Sequence, residues 1–279
     1  MKDKVVVVTG GTSGIGQVAA EALAGQGARI VLVARDQGRA DAALGRLRAA
    51  GPGLAHGVHL ANLASIADTR RVAAQIAAAE PRIDVLINNA GALFNHRQLS
   101  PEGLEMTFAV NHMAYFVLTQ GLRERLVATP GARVVSTASA AHQGARLDFD
   151  DLQSARNYRG FAVYGRSKLA NILFTRELSR RLEGTGVTAN CLHPGFVATR
   201  FGDRSGGLVQ AIMPLAKLFA VTPQQGGDTI IYLASAPQVV TISGLYFYKR
   251  QAISPTREGQ DDAAAARLWA ESERLAGAV

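Results

Sequence analysis

The chain has 279 residues, 48% of them apolar, and a formal net charge of +8. That length suits one large α/β domain or two small ones. No stretch approaches the roughly 20 unbroken apolar residues of a membrane span, so no transmembrane segment is expected. The positive charge lies mostly on arginines scattered along helical stretches, such as Arg46, Arg48, Arg180 and Arg181, with no dense basic run interleaved with aromatics, so no nucleic-acid partner is expected. Cys191 is the only cysteine, which excludes an intrachain disulfide. Met1-Lys2-Asp3-Lys4 leads straight into an apolar run with no signal-peptide pattern, and a cytoplasmic location is the simplest expectation.

In chain order, Val5, Val6, Val7 and Val8 make a β-branched run suited to a strand buried on both faces of a parallel sheet. It runs into Thr9-Gly10-Gly11-Thr12-Ser13-Gly14-Ile15-Gly16, and a helix follows to about Gln26. Strand, glycine-rich turn and helix are the context of a dinucleotide-binding turn: the glycines let the backbone approach a pyrophosphate, and the helix start offers free N–H groups. The alternative is a tight turn that binds nothing. The second strand, 29–33, ends in Ala34-Arg35-Asp36. An acidic side chain at this tip would hold a ribose 2′-hydroxyl and select NAD. Arg35 there suits a 2′-phosphate and favours NADP, the alternative being Asp36 on the ribose.

Residues 36–50 pattern as helix, 54–60 as the third strand, 64–79 as the third helix and 84–87 as the fourth strand. Asn88-Asn89-Ala90-Gly91 follows, small residues against which a flat ring can lie. A helix is expected over 101–128, with Asn111 set in an apolar stretch, where it could equally be a buried amide tying backbone together. The fifth strand, 133–137, runs into Ala138-Ser139. The sixth, 187–192, ends in His193-Pro194-Gly195, and 245–248 is the seventh. Strands alternating with helices predict an α/β fold: one doubly wound (Rossmann) domain over 1–279, with a seven-stranded parallel sheet and helices on both faces. Ligands of such sheets sit outside the carboxyl ends of the strands, and the turn over 10–16, Arg35, the segment 88–91, Ser139 and Pro194-Gly195 all fall there.

Within a helix running to about Arg181, Tyr164 and Lys168 are four residues apart and share a face. A tyrosine is a poor acid or base at neutral pH, with an unperturbed pKa of about 10. A neighbouring ammonium lowers that value, so such a pair could move a proton to or from a substrate oxygen.

Taken together these residues resemble the short-chain dehydrogenase/reductase family. Thr9–Gly16 is similar to its T-G-x-x-x-G-x-G turn, 88–91 to its N-N-A-G element, and Asn111, Ser139, Tyr164 and Lys168 to its catalytic tetrad. A narrower resemblance, carried by 167–171, 190–195 and 268–273, is to the retinol dehydrogenase-like branch, here as a soluble bacterial relative. The resemblance implies an NADP(H)-dependent oxidoreductase. Hydride would pass between the nicotinamide and a carbonyl carbon. Tyr164 would serve as acid or base, Lys168 would tune Tyr164 and hold the nicotinamide ribose, Ser139 would bind the substrate oxygen, and Asn111 would hold a water. Gly10, Thr12, Ser13, Gly14, Ile15, Gly16, Arg35, Asn89, Ala90, Gly91, Pro194, Gly195, Val197 and Thr199 would bind the cofactor. His59 and Leu60 occupy the place where the family carries an adenine-binding Asp, with Asn62 the nearest polar alternative. No metal is implied. Homodimers or homotetramers built on the helices at 101–128 and 160–183 are implied.

A substrate lid is expected at about 198–222, its apolar residues near helical spacing and Lys217 the only charge between Gly206 and Thr222. Few charges there point to a lipophilic ketone, aldehyde or secondary alcohol. An ordinary core helix, or shallow membrane contact over 207–220, are the other readings of that segment. The alternative functions are a catalytically silent NADP-binding regulatory protein and an NAD-dependent alcohol dehydrogenase.

Overall fold

The computed structural model describes residues 1–195 and 222–277. Its centre is an eight-stranded sheet in the order β3-β2-β1-β4-β5-β6-β7-β8. The strands are β1 (Val5–Thr9), β2 (Arg29–Ala34), β3 (Gly57–Leu60), β4 (Val85–Asn88), β5 (Arg133–Thr137), β6 (Thr188–Leu192), β7 (Tyr246–Tyr248) and β8 (Gln251–Ile253). β1 to β7 are parallel, and β8 folds back antiparallel on β7. The expected seven parallel strands are therefore present, with one short edge strand added. β8 has exposed side chains and only three residues, too little pattern to read in sequence.

The helices are α1 (Gly14–Gly25), α2 (Gln37–Ala50), α3 (Ile66–Ala79), α4 (Met106–Phe108), α5 (Ala114–Gly121), α6 (Arg123–Val127), α7 (Gly160–Arg181), α8 (Pro223–Ser235) and α9 (Asp262–Ala276). Alternation along the strands sorts side chains into two cores. Val5, Val7, Leu86 and Val134 face the side of α3, α5, α7 and α9. Val6, Val8, Ile87 and Val135 face the side of α1, α2 and α8. Strand order reverses between β1 and β4, so the loops after these two strands flank the crevice where doubly wound sheets bind ligands.

The expected helix over 101–128 is broken. Glu105, fully buried, caps α4 by accepting from the N–H groups of Thr107 and Phe108, both at 2.7 Å. Ala109–Met113 then forms a π-helical turn before α5 starts. A π turn inserts a residue into the helical ladder and re-aims the side chains inside it, here Asn111. No helix among the described residues is long and apolar enough to cross a membrane.

α9 lies along α7. Trp269 stacks on Phe174 at 5.9 Å and meets Phe116 edge-on at 5.0 Å, while Arg181 lies over its other side at 4.5 Å. Residues 114–119 of α5 and 167–175 of α7 are mostly buried within the chain itself.

Candidate active site

The turn after β1 is built by close approach. Gly10 and Gly14 have φ of +68° and +59°, in the left-handed region that favours glycine. A Cβ on Gly16 would lie 2.3 Å from Asn89 Nδ2 and 2.5 Å from the Gly10 carbonyl oxygen, so only glycine fits. Asn89 Nδ2 donates to the Thr9 and Gly10 carbonyls, both at 3.3 Å. Thr9 Oγ1 accepts from the N–H groups of Asn89 and Ala90 at 2.9 and 3.1 Å. The two motifs, about eighty residues apart in sequence, are thus one rigid cradle. The Ser13 side chain does not cap α1, so the first-turn N–H groups face the crevice without a side-chain acceptor.

Arg35 is exposed immediately past β2. Asp36 is engaged within its own turn, where its carboxylate accepts from the Arg39 N–H at 2.8 Å and caps α2. His59 and Leu60 close β3 beside Val33 and Ala34. Pro194 and Gly195 follow β6, where the Gly195 N–H donates to His193 Nδ1 at 3.2 Å. Val197, Thr199 and the lid segment up to 221 lie outside the described residues, and Thr222 caps α8 in a box with Gln225.

The four tetrad positions converge at the ends of β4 and β5. Tyr164 and Lys168 are both nearly buried, at 8% and 2% exposure, and Lys168 Nζ is 5.6 Å from the Tyr164 ring centroid. The amine donates to the Thr137 carbonyl at 3.0 Å. Ser139 hydrogen-bonds Tyr164, and its Oγ accepts from the Ala141 N–H at 3.1 Å. Asn111 is held by three bonds: Oδ1 accepts from Ala92 N–H at 2.8 Å, and Nδ2 donates to Ala92 O and Ser167 Oγ, both at 2.9 Å. A Cβ on Gly91 would sit 3.3 Å from Asn111 Oδ1 and 3.4 Å from Lys168 Nζ, so the bare glycine lets strand end, amide and amine meet.

Burial sets the protonation of the pair. It pushes Tyr164 up to about 12, against a lowering by the Ser139 hydrogen bond. It pushes Lys168 down to about 7. Helical spacing alone predicts a tyrosine lowered by its lysine. In the folded site burial works against the charged form of both groups, raising the tyrosine and lowering the lysine.

Three further side chains complete the site beyond the residues assigned a role from sequence. Thr9 ties the cradle. Tyr115 is fully buried with its ring 5.8 Å from Lys168 Nζ, and Asn171 shares the lysine's carbonyl acceptor. Thr9 lies within the glycine-rich motif and Asn171 within the 167–171 segment, but Tyr115 belongs to an ordinary helical stretch.

Fold, cradle and tyrosine–lysine pair define a nicotinamide-dependent oxidoreductase of the doubly wound class. The short chain dehydrogenase family model matches residues 4–206, and the chain belongs to that family. Human retinol dehydrogenase 13 is 41% identical over 283 residues, covering 98% of this chain and 85% of the relative. Mouse retinol dehydrogenase 14 is 41% identical over 293 residues, covering 99% and 87%. Among solved structures, a Mycobacterium paratuberculosis protein superposes with a TM-score of 0.79 at 30% identity, covering 99% of this chain and 94% of that one. A Burkholderia cenocepacia short chain dehydrogenase in complex with NADP gives 0.71 at 26% identity, covering 88% and 96%.

Proposed function

We propose that the protein is an NADP(H)-dependent reductase of lipophilic ketones or aldehydes, able to run in reverse on the secondary or primary alcohol. The observation that carries this reading is the convergence of Tyr164, hydrogen-bonded to Ser139, with the Lys168 amine 5.6 Å from its ring at the ends of β4 and β5. When bound, the dinucleotide supplies or takes the hydride. Everything else falls to the chain. The cradle of Gly10, Gly14, Gly16 and Asn89, with the N–H groups at the start of α1, suits a pyrophosphate. Lys168 would hold a ribose hydroxyl. Ser139 holds a substrate oxygen and Tyr164 gives it a proton. Asn111 holds the strand end after β4 in place through Ala92.

Preference for the phosphorylated dinucleotide rests on Arg35, exposed where a 2′-phosphate would lie, and on Asp36 being engaged as a helix cap rather than free for a ribose. The NADP named with the Burkholderia neighbour agrees. A charge-assisted hydrogen bond is worth about 1.5–3 kcal/mol. Arg35→Ala is therefore expected to weaken NADPH binding by roughly 10–150-fold with NADH binding unchanged, as read by nicotinamide fluorescence titration. Equal loss for both dinucleotides, or none for either, would remove the 2′-phosphate assignment.

A lipophilic substrate is supported by Phe161, 65% exposed one turn before Tyr164 with ring centroids 6.5 Å apart. Retinol, in the names of the relatives, is such a molecule. The decisive experiment is steady-state reduction of a panel of aliphatic and aromatic aldehydes and ketones with NADPH. Turnover that strengthens with chain length supports the reading, and none with any carbonyl would return the chain to a silent, cofactor-binding role.

A further inference from the structure

Behind Lys168 runs a line of buried polar groups that the proton chemistry leaves unused. The Thr137 carbonyl accepts twice, from Lys168 Nζ at 3.0 Å and from Asn171 Nδ2 at 3.2 Å. Asn171 is fully buried on α7, three residues beyond the lysine. His112, in the π-helical turn next to Asn111, interacts with Asn171. Its Nε2 lies 2.8 Å from Ser272 Oγ on α9.

The tautomer of His112 follows from counting donors. His112 Nδ1 and Asn171 Oδ1 are both buried with no hydrogen-bond partner in bonding geometry among the described residues, although the two side chains are neighbours. With the proton on Nε2, both atoms stay unsatisfied in a dry interior. With the proton on Nδ1, it points to Asn171 Oδ1, and the Ser272 hydroxyl turns to Nε2 from its other acceptor, the Leu268 carbonyl at 2.7 Å. Burial holds His112 down at about 3, so the ring is neutral at any working pH. An N–H is then the donor nearest in kind to the open Asn171 Oδ1, while Nδ2 faces Thr137 on the other side.

We propose that Asn171, locked by His112 and Ser272, is a positioning residue that sets the Thr137 carbonyl on which the Lys168 amine hangs. The proposal rests on reading Tyr164 and Lys168 as the acid–base pair. Two donors on one carbonyl fix its peptide plane, and Ser139 lies only two residues further along the same strand end. Asn171 thus governs both the height of the amine beneath Tyr164 and the start of the segment carrying Ser139. The plain structural alternative is an amide that merely satisfies a strand-end carbonyl under α7.

Asn171→Asp separates the two. It keeps the shape and the acceptor facing His112 but replaces the donor facing Thr137 with an oxygen. The groups facing Lys168 are Tyr164 on its own helix and Tyr115 on α5, both phenols, and the neutral Asn111 across Gly91. A carboxylate there favours the ammonium form. We expect kcat to fall at least about tenfold, with KM and the NADPH Kd within about threefold on the same scale. We also expect the Lys168 amine titration, followed by 1H–15N NMR of the full chain, to move up by at least about half a unit. Ser272→Ala, at the far end, should lower kcat by about two- to fivefold with the same split, and serves where Asn171→Asp folds poorly. An unmoved lysine titration overturns the proposal, as does a loss spread equally over kcat, KM and Kd alongside a lowered Tm. Should the wild-type protein reduce no carbonyl at all, the acid–base reading fails, while the lysine titration still decides whether Asn171 positions the amine.

Discussion

Tyr164→Phe is expected to lower kcat for carbonyl reduction by at least about a thousandfold, within the range that a lost general acid removes. NADPH affinity should stay close to that of the wild type. The substitution keeps the ring, its packing on α7 and its place 5.6 Å from the lysine amine, and removes one oxygen. Water cannot easily stand in for that oxygen, because Tyr164 is 8% exposed and its neighbours Ser167, Lys168 and Asn171 are buried. Ser139 would still bind a substrate oxygen, but among the described residues its hydroxyl is bonded to the Tyr164 phenol and the Ala141 N–H, and to no other acid or base. Stopped-flow binding of NADPH and steady-state turnover of one aldehyde decide the matter. A variant that retained a tenth of the wild-type kcat would move proton transfer to another group and end the acid–base reading.

The second large effect is structural. Trp269→Ala should destabilise the fold by about 3–5 kcal/mol, the usual cost of emptying a buried aromatic site. For a chain of this size that corresponds to a drop of roughly 6–20 °C in Tm. Trp269 is 3% exposed and packs on two phenylalanines. Its Nε1–H donates to Glu273 Oε1 at 2.7 Å. Thermal unfolding by circular dichroism gives the answer, and a loss below about 1 kcal/mol would mean that α9 does not depend on this side chain for its grip on α7.

Much of this molecule is legible in its sequence because its signals are local and periodic. β-branched runs mark strands buried on both faces, and β1 to β7 lie where those runs and their flanking turns place them. α7 ends at Arg181 as expected. The glycine-rich turn, the segment after β4 and the Tyr164/Lys168 pair are legible because each needs particular residue types at short spacing. What escapes depends on contacts between distant parts of the chain. Glu105 is a good helix former by propensity and so reads as helix interior, yet it ends up as a buried cap. Asp36 reads from sequence as an alternative ribose ligand, and only the folded turn shows its carboxylate accepting from the Arg39 N–H. The direction of the Tyr164 and Lys168 shifts follows from near-complete burial, which helical spacing alone does not reveal. The packing of α9 on α7, which lies about eighty residues earlier, likewise shows only in the folded chain.

That last arrangement has a consequence for how the protein is made. Every tetrad position precedes residue 170, and β6 and β7 complete the parallel sheet by residue 248. A growing chain therefore holds its whole reactive centre and nearly all its sheet while Phe116, Phe174 and their neighbours still lack the cover that α9 brings. Through that interval the nascent chain carries a bare, sticky apolar face, the kind of surface that chaperones hold and that drives aggregation when they do not. A reading-frame stop just before Asp262 would spare every reactive group and still yield a chain destined for clearance. Lesions in α9 should then show up first as lost abundance in the cell rather than as slow turnover.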